Sequence, residues 1–209
     1  MTDFPALLRV LSGKPAALLL VDLQNGFCSP DGYLAKEKGY DVAYVEPVMQ
    51  AVRSLRQAAR RAGMQVVWLR SHYDFKYLRP AQQQRRGTQG CCLQGSWGAD
   101  FYLDQPEPQD WVVTKHTFSG FFETDLHARL QQAGIETLVV CGVATNVCVD
   151  STLRDGFFLG YHIVLAEDAV GSNSRAGHEG TLATVRNNIG LVAPVHGIVS
   201  AISQSPTVA

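Results

Sequence analysis

Three side chains that could act together in acyl transfer follow three separate apolar runs of the sequence. Asp22 comes directly after Ala16–Val21, Lys115 directly after 111–114, and Cys148 lies in a loop that follows 137–141. A thiolate attacks carbonyl carbons, a carboxylate can take up the thiol proton and pass it to a leaving amine, and an ammonium group stabilises the negative charges involved. These residue types indicate covalent catalysis on an amide-like bond.

The loop that leads to Cys148 suits this chemistry. It contains Gly142 and turns into a predicted helix, so backbone N–H groups at the start of that helix would favour a thiolate. A nearby Lys115 ammonium would lower the thiol pKa further. The backbone N–H groups of Ala144 and Cys148 are predicted to hold the oxyanion that forms on the attacked carbonyl.

Each of the three residues, taken alone, also has an ordinary structural interpretation. Cys148 could be a small core residue, Asp22 a turn former or helix cap, and Lys115 a solvated side chain at a strand end. The functional interpretation rests on their combination, because parallel strands place their carboxyl ends at one edge of the sheet.

The apolar runs themselves predict the fold class. Short continuous runs alternate with helical patterns, as in strands that helices cover on both faces. The sequence therefore predicts an α/β fold with three αβα layers and a six-stranded parallel sheet. The predicted strands are Ala16–Val21, 65–69, 111–114, 137–141, 162–166 and Leu191–Ala193.

Helical spacing and capping residues predict the elements between the strands. Pro47 in a first turn and Gly63 as a C-terminal cap bound one helix, and Thr124 and Gly134 bound another. Three more helices are predicted near 146–159, 175–188 and 196–203. Two connections are unusually long, 26–44 and 72–110; the second is predicted to be a cover loop, and 203–209 a loose tail.

Composition excludes several classes of function. With 209 residues, of which 46% are hydrophobic and 18% charged, we expect one domain over residues 1–209. A net charge of −1 argues against nucleic-acid binding, and no apolar run approaches the roughly 20 residues of a membrane span. The N-terminus lacks a signal-peptide pattern, and the five cysteines show no zinc-site spacing, which predicts free thiols and a cytoplasmic protein.

Three motifs in order along the chain resemble the isochorismatase-like cysteine hydrolases. They are LVDLQNGF at 20–27, KHTFSGF at 115–121 and GVATNVCV at 142–149. The resemblance implies a Rossmann-like strand order, a catalytic triad of Asp22, Lys115 and Cys148, and a cis peptide bond between Val143 and Ala144. It also implies that no metal or organic cofactor is needed, and that the chain forms a homodimer or homotetramer.

Within that family, the segment 151–159 together with Gly95-Ser96-Trp97 looks most like the ureidoacrylate amidohydrolases. This likeness, and that to the biuret and N-carbamoyl hydrolases, implies cleavage of a ureido or carbamoyl C–N bond through a thioester, with release of ammonia or a small amine. Two other activities stay open, an isochorismatase-type vinyl-ether hydrolase and a nicotinamidase-like amidase. A binding protein that has lost activity is a third alternative, which the intact triad disfavours.

Substrate-binding residues are predicted on the two long connections. Phe27, Tyr33 and Trp97 would form an aromatic wall around a planar ureido group, although they could equally pack the loops onto the domain. His72 is a candidate pocket residue, because the Asp-x-His metal motif of nicotinamidases is here Arg70-Ser71-His72. The candidates for binding a substrate carboxylate are Arg70, Arg79, Arg85 and Arg86, each of which could instead be a solvated surface side chain.

Overall fold

A computed structural model of the chain describes residues 3–86 and 90–204. Its centre is a six-stranded sheet in which every neighbouring pair is parallel and the order is β3-β2-β1-β4-β5-β6. This confirms the predicted fold class and strand order. The strands are β1 (Ala16–Val21), β2 (Gln65–Ser71), β3 (Trp111–Lys115), β4 (Thr137–Val143), β5 (His162–Gly171) and β6 (Leu191–Ala193).

Helices cover both faces of the sheet. In the described residues they are α1 (Phe4–Leu11), α2 (Asn25–Cys28), α3 (Tyr33–Lys36), α4 (Val45–Arg61), α5 (Pro80–Arg86), α6 (Leu126–Gln132), α7 (Asp150–Phe158), α8 (Arg175–Asn188) and α9 (Val195–Ser203). Helices α1, α4 and α9 pack on one face, and α6, α7 and α8 pack on the other. Short 3₁₀ turns lie at Phe75–Tyr77 and Trp97–Ala99.

The central strand β1 shows why its sequence is a continuous apolar run. All six of its residues are buried. Their side chains alternate between the two hydrophobic cores. Leu18 and Leu20 face the core under α1, α4 and α9, whereas Leu19 and Val21 face the core under α6, α7 and α8. A strand covered on both faces needs apolar residues at every position, which produces this pattern.

The structure extends several predicted strands and adds helices that were not predicted, α1 before the first strand and α2, α3 and α5 near or within the long connections. Helix α1 was not predicted; Asp3 caps it by accepting a hydrogen bond from the N–H group of Ala6, and its apolar face is buried. Strand β5 continues to Gly171, beyond the predicted end at residue 166. The charged pair Glu167-Asp168 interrupts the apolar pattern there. The Asp168 carboxylate nevertheless has a structural partner, since it accepts a hydrogen bond from the N–H group of Val195 at the start of α9.

The two long connections contain short elements of their own. Helix α2 begins one residue before the connection 26–44, and α3 lies within it; α5 and both 3₁₀ turns lie in 72–110. Residues 87–89 of the predicted cover loop and residues 205–209 of the predicted tail lie outside the described residues. Residue 203 ends α9, and in the described part of the chain no helix is long and apolar enough to cross a membrane.

Gly142 of β4 lies beside Val21, the last residue of β1, with no room for a side chain between the two backbones. Gly142 has a φ of +114°, and a Cβ atom built there would lie 2.2 Å from the carbonyl oxygen of Val21. That contact is with backbone, so it cannot be relieved by a side-chain rotation. A residue without a side chain is therefore required at the end of β4, beside the point where Asp22 leaves β1.

We predict that Gly142→Ala lowers the free energy of unfolding by about 2 kcal/mol or more, because it adds a backbone clash to an unfavourable φ. The matched control is Gly180→Ala in α8, where a Cβ atom would have no neighbour within 4 Å. The control is expected to be neutral or to stabilise by up to about 1 kcal/mol, because alanine favours helix. Urea unfolding of both variants measures the difference, and equal stabilities would contradict the prediction.

Candidate active site

A cavity of about 460 Å³ lies at the carboxyl ends of β1 and β4, where the strand order reverses. Open parallel sheets bind their ligands at this point. Asp22, which follows β1, and Cys148, which follows β4, both line the cavity. The wall is completed by Phe27, Tyr33, Leu34, Lys38, Tyr40, Tyr44, Tyr73, Arg85, Cys91, Phe118, Val143, Ala144, Val147 and Asn173.

Below Cys148 and the cavity, Asp22 and Lys115 form a buried ion pair. The distance from Lys115 Nζ to Asp22 Oδ2 is 2.8 Å, and the two side chains are 0% and 1% exposed. Ser71 joins the pair: its hydroxyl accepts a hydrogen bond from Lys115 Nζ at 2.9 Å and donates one to Asp22 Oδ1 at 3.0 Å. The third acceptor of the ammonium group is the carbonyl oxygen of Thr117, at 3.0 Å.

The sheet register explains how Lys115 reaches Asp22. Lys115 ends β3 and is paired with Ser71 at the end of β2, so β2 separates it from β1. The backbone of β3 lies two strands from that of β1, and neighbouring strands are about 4.8 Å apart. The side chains of Lys115 and Asp22 together are long enough to bridge this distance. Because the intervening residue is a serine, the lysine side chain can pass over it and still find a hydrogen-bond partner there.

Gln24 fixes the end of β2. This fully buried side chain accepts a hydrogen bond from the N–H group of Ser71 at 2.7 Å and donates to the carbonyl oxygens of Ser71 and Ala99 at 3.0 and 2.8 Å. Asp22 itself adopts a φ of +52°, which turns the chain sharply out of β1. The carboxylate therefore projects from a turn that is pinned on both sides.

Cys148 lies in a turn that connects β4 to α7. Residues Thr145–Val149 form a single π-helical turn, and the peptide bond between Val143 and Ala144 is cis. The Cys148 thiol is buried, and its Sγ lies 3.7 Å from the hydroxyl group of Tyr73. The predicted helix over 146–159 is thus divided into this turn and α7, and the thiol sits in the turn.

Comparison with known proteins identifies the family. The model of the isochorismatase domain matches residues 16–196. The chain belongs to the isochorismatase family. It is accordingly a hydrolase, and the matched stretch contains all six strands and the three motifs found in the sequence.

Relatives and solved structures agree with the family assignment. A ureidoacrylate amidohydrolase RutB from Enterobacter sp. (strain 638) is 39% identical over 190 residues, which is 81% of each chain. The crystal structure of a cysteine hydrolase from Pseudomonas syringae pv. phaseolicola is 26% identical, has a TM-score of 0.82 and covers 90% of this chain and 92% of its own. An N-carbamoylsarcosine amidase from Thermoplasma acidophilum is 26% identical with a TM-score of 0.72, and covers 87% and 96%.

Burial and charge set the protonation states in this isochorismatase-family site. Burial by itself lowers the pKa of Lys115, but Asp22, Cys148 and Tyr73 together outweigh it and hold the pKa above its ordinary value, so the amine is charged. Burial raises the pKa of Cys148 to about 12; Lys115 opposes this rise and Asp22 adds to it. The expectation of a stabilised thiolate is therefore wrong for the free protein, because desolvation exceeds the attraction of the ammonium group.

Sequence reasoning missed three residues around the triad. Ser71 bridges the ion pair, Gln24 holds Ser71, and Tyr73 contacts the thiol. Burial raises the pKa of Tyr73, so its hydroxyl stays protonated; it lies 3.3 Å from the carbonyl oxygen of Thr117, to which it donates, and 3.7 Å from the sulfur, a contact in which either atom can be the donor. A usable signal existed for Gln24, which is part of the first motif, three residues after β1. Ser71 shows its role only through its register opposite Lys115, and Tyr73 only through its contact with the thiol.

The structure separates the four predicted substrate-binding residues into two groups. Phe27 and Tyr33 line the cavity. Trp97 is 54% exposed, and its backbone carbonyl oxygen accepts a hydrogen bond from the side-chain amide of Asn25. His72 is buried, and its carbonyl oxygen accepts a hydrogen bond from Nδ1 of His116. The cavity wall thus supports a substrate-facing position for Phe27 and Tyr33, but not for His72 and Trp97.

Metal-binding side chains do not converge at this site. Over residues 3–86 and 90–204, no group of three or more His, Cys, Asp or Glu side chains is placed to hold a metal ion. The five cysteines are all buried free thiols, and Cys91 and Cys92 lie with their sulfur atoms 3.3 Å apart.

We predict that Lys115→Met lowers the free energy of unfolding by about 3–5 kcal/mol, because it leaves the Asp22 carboxylate buried without its counter-charge. The double variant Asp22→Asn with Lys115→Met is expected to regain about 2 kcal/mol of that loss. Lys14→Met, which breaks an exposed ion pair with Glu136, is the control and should cost less than about 1 kcal/mol. Denaturant unfolding distinguishes these cases; a double variant less stable than Lys115→Met would contradict the prediction.

Proposed function

We propose that the protein is a cysteine amidohydrolase that cleaves the C–N bond of a small ureido or carbamoyl compound. The observation that carries this proposal is the placement of the Cys148 thiol and the Asp22 carboxylate on the wall of one cavity, with Lys115 buried against the carboxylate. A nucleophile, a proton acceptor and a fixed positive charge are the groups that acyl transfer through a thioester requires.

In the first step, Asp22 takes the proton of Cys148 as the sulfur attacks the carbonyl carbon of the substrate. The thiol is protonated at rest, because burial raises its pKa to about 12. Proton transfer and attack therefore have to be coupled, and a base beside the thiol is needed throughout. Lys115 stays protonated and compensates the changing charge, and the Tyr73 hydroxyl is positioned to donate a hydrogen bond to the developing thiolate.

In the second step, the tetrahedral intermediate collapses. We assign its oxyanion to the backbone N–H groups of Ala144 and Cys148, which belong to the turn at the cavity wall. The C–N bond breaks, Asp22 returns its proton to the leaving nitrogen, and ammonia or a small amine departs. A water molecule deprotonated by Asp22 then hydrolyses the thioester and regenerates the thiol.

The similarity to a ureidoacrylate amidohydrolase and to an N-carbamoylsarcosine amidase supports a ureido or carbamoyl substrate. The aromatic wall suits a planar group of this kind, since Phe27, Tyr33 and Tyr73 all face the cavity. The two other candidate activities predict different behaviour. A vinyl-ether hydrolase would act without the thiol, and a nicotinamidase-like amidase would prefer an aromatic amide.

We also propose that residues 1–209 work as one domain in the cytoplasm and assemble with copies of the same chain. Both cores share one sheet, which supports a single domain. Five free thiols suit a reducing compartment. The apolar residues at the end of α7, where Phe158 is 75% exposed, support a contact with a second copy.

The central test is Cys148→Ala, assayed on ureidoacrylate, biuret, an N-carbamoyl amino acid, nicotinamide and isochorismate. We expect kcat/KM on the ureido or carbamoyl substrate to fall roughly a thousandfold or more, because the nucleophile is lost. Cys141→Ala is the matched control: this buried thiol donates to the carbonyl oxygen of Leu19 and does not line the cavity. Turnover of Cys148→Ala within tenfold of the parent, or preference for isochorismate, would overturn the proposal.

The Asp22→Asn variant separates the base from the thiol. Since the Asp22 charge raises the pKa of Cys148, its removal leaves Lys115 to lower that pKa, and the thiolate fraction near pH 8 rises. We expect alkylation of Cys148 by iodoacetamide to become about tenfold faster while turnover falls roughly a thousandfold.

Site-resolved mass spectrometry of the alkylated protein measures the first effect and a steady-state assay the second. Asp31→Asn, which removes an exposed acid paired with Lys36, should change neither. Slower alkylation of Asp22→Asn than of the parent would show that the assigned direction of the electrostatic effect is wrong.

A further inference from the structure

The cavity wall has a net positive charge. Among the described residues that line it, the charged ones are Asp22, Lys38 and Arg85. The charge of Asp22 is compensated by Lys115 at 2.8 Å, so it contributes little to the field in the cavity. Two cations therefore face a space that is otherwise lined by aromatic, aliphatic and small polar side chains.

The two cations come from the two long connections. Lys38 follows α3 in the first connection, and Arg85 is in α5 of the second. Each connection thus contributes one positive charge to the same cavity, on a different segment from Asp22 and Cys148. Such a placement can bind one end of a substrate while the triad acts on the other end.

Lys38 differs from its neighbour Lys36 in its partners. Lys36 forms an ion pair with Asp31 at 3.2 Å. Lys38 has no acidic partner in residues 3–86 and 90–204, and its ammonium group lies 5.4 Å from the centre of the Tyr33 ring, which also lines the cavity. The aromatic contact keeps the charge beside the cavity without neutralising it.

Arg85 can be compared with the other arginines that the sequence made candidates for carboxylate binding. Arg79 is paired with Glu123, and Arg70 donates through Nε to Thr114. Arg85 lines the cavity, and no ion pair joins it to an acidic side chain within the described residues. The position of the Arg86 side chain lies outside what the structure describes.

We infer that Lys38 and Arg85 bind a carboxylate of the substrate and thereby select ureido acids over neutral ureas. This inference rests on the proposed function, since it assumes that a ureido or carbamoyl carbon meets Cys148. It adds that the substrate has an anionic group at the end opposite the bond that is cleaved. A guanidinium group and an ammonium group that line the same cavity match the charge of a carboxylate and can supply donors for both of its oxygens.

The test compares two substrates of similar size that differ in charge. 3-Ureidopropionate carries a carboxylate, and N-(3-hydroxypropyl)urea carries a hydroxymethyl group in its place. The measured quantity is the ratio of kcat/KM for the acid to kcat/KM for the neutral urea. We expect Lys38→Met and Arg85→Gln each to reduce this ratio about tenfold, mainly through a higher KM for the acid. The double variant should reduce it further.

Matched variants and salt provide the controls. Lys36→Met removes a cation two residues from Lys38, and Arg79→Gln removes one from the same connection as Arg85; neither lines the cavity, so the ratio should stay within about twofold of the parent. Raising the ionic strength should lower the ratio for the parent, because exposed charges are screened, and should leave the double variant nearly unchanged.

The outcomes separate this inference from the function on which it rests. If the parent cleaves both ureas and the ratio does not fall in Lys38→Met or in Arg85→Gln, the inference is wrong and the amidohydrolase proposal stands. If the parent cleaves neither urea nor any other ureido or carbamoyl compound, the proposed function fails and the inference fails with it. A lower ratio in the two cavity variants, with unchanged control variants, supports both.

Discussion

The buried ion pair between Asp22 and Lys115 is the interaction on which the site depends. A lone carboxylate at this depth would be forced to protonate, and a lone ammonium would be forced to lose its proton. Together they stay charged, and Ser71 and the carbonyl oxygen of Thr117 satisfy the remaining hydrogen bonds. Because the pair spans the ends of three strands, it also ties the sheet together at the cavity that Cys148 lines.

The strands and the connections between them contribute different residues to the site. Strand ends supply Asp22, Ser71 and Lys115, whose positions are fixed by backbone hydrogen bonding across the sheet. The connections supply most of the aromatic and charged side chains that line the cavity. The ion pair is thus held by the sheet, whereas much of the cavity wall lies on segments that can vary without disturbing the sheet.

The sequence predicts the sheet well, because each buried parallel strand is a continuous apolar run, and the position of the run in the sequence gives the position of the strand. The three motifs also predict the family, and strand-end logic brings Asp22, Lys115 and Cys148 to one edge. What could not be predicted depends on three-dimensional neighbours. Ser71 acquires its role from its register opposite Lys115, and the state of the Cys148 thiol depends on the balance between burial and charge, which residue types alone do not give.

Helix α1 and the end of β5 were missed for a different reason. Helix α1 is a short apolar segment at the start of the chain, and the end of β5 contains the charged pair Glu167-Asp168. In each, a carboxylate, from Asp3 or Asp168, accepts a hydrogen bond from a backbone N–H group, a contact that only the folded chain shows.

Lys115 is fully buried and is not part of the cavity wall, which matters for the durability of a protein that handles carbamoyl groups. Such compounds can decompose to cyanate, and cyanate carbamoylates amines that are accessible and unprotonated. This amine is neither, since the floor of the cavity separates it from any bound molecule and Asp22 keeps it protonated. The burial and pairing that keep Lys115 charged therefore also keep this amine out of reach of cyanate.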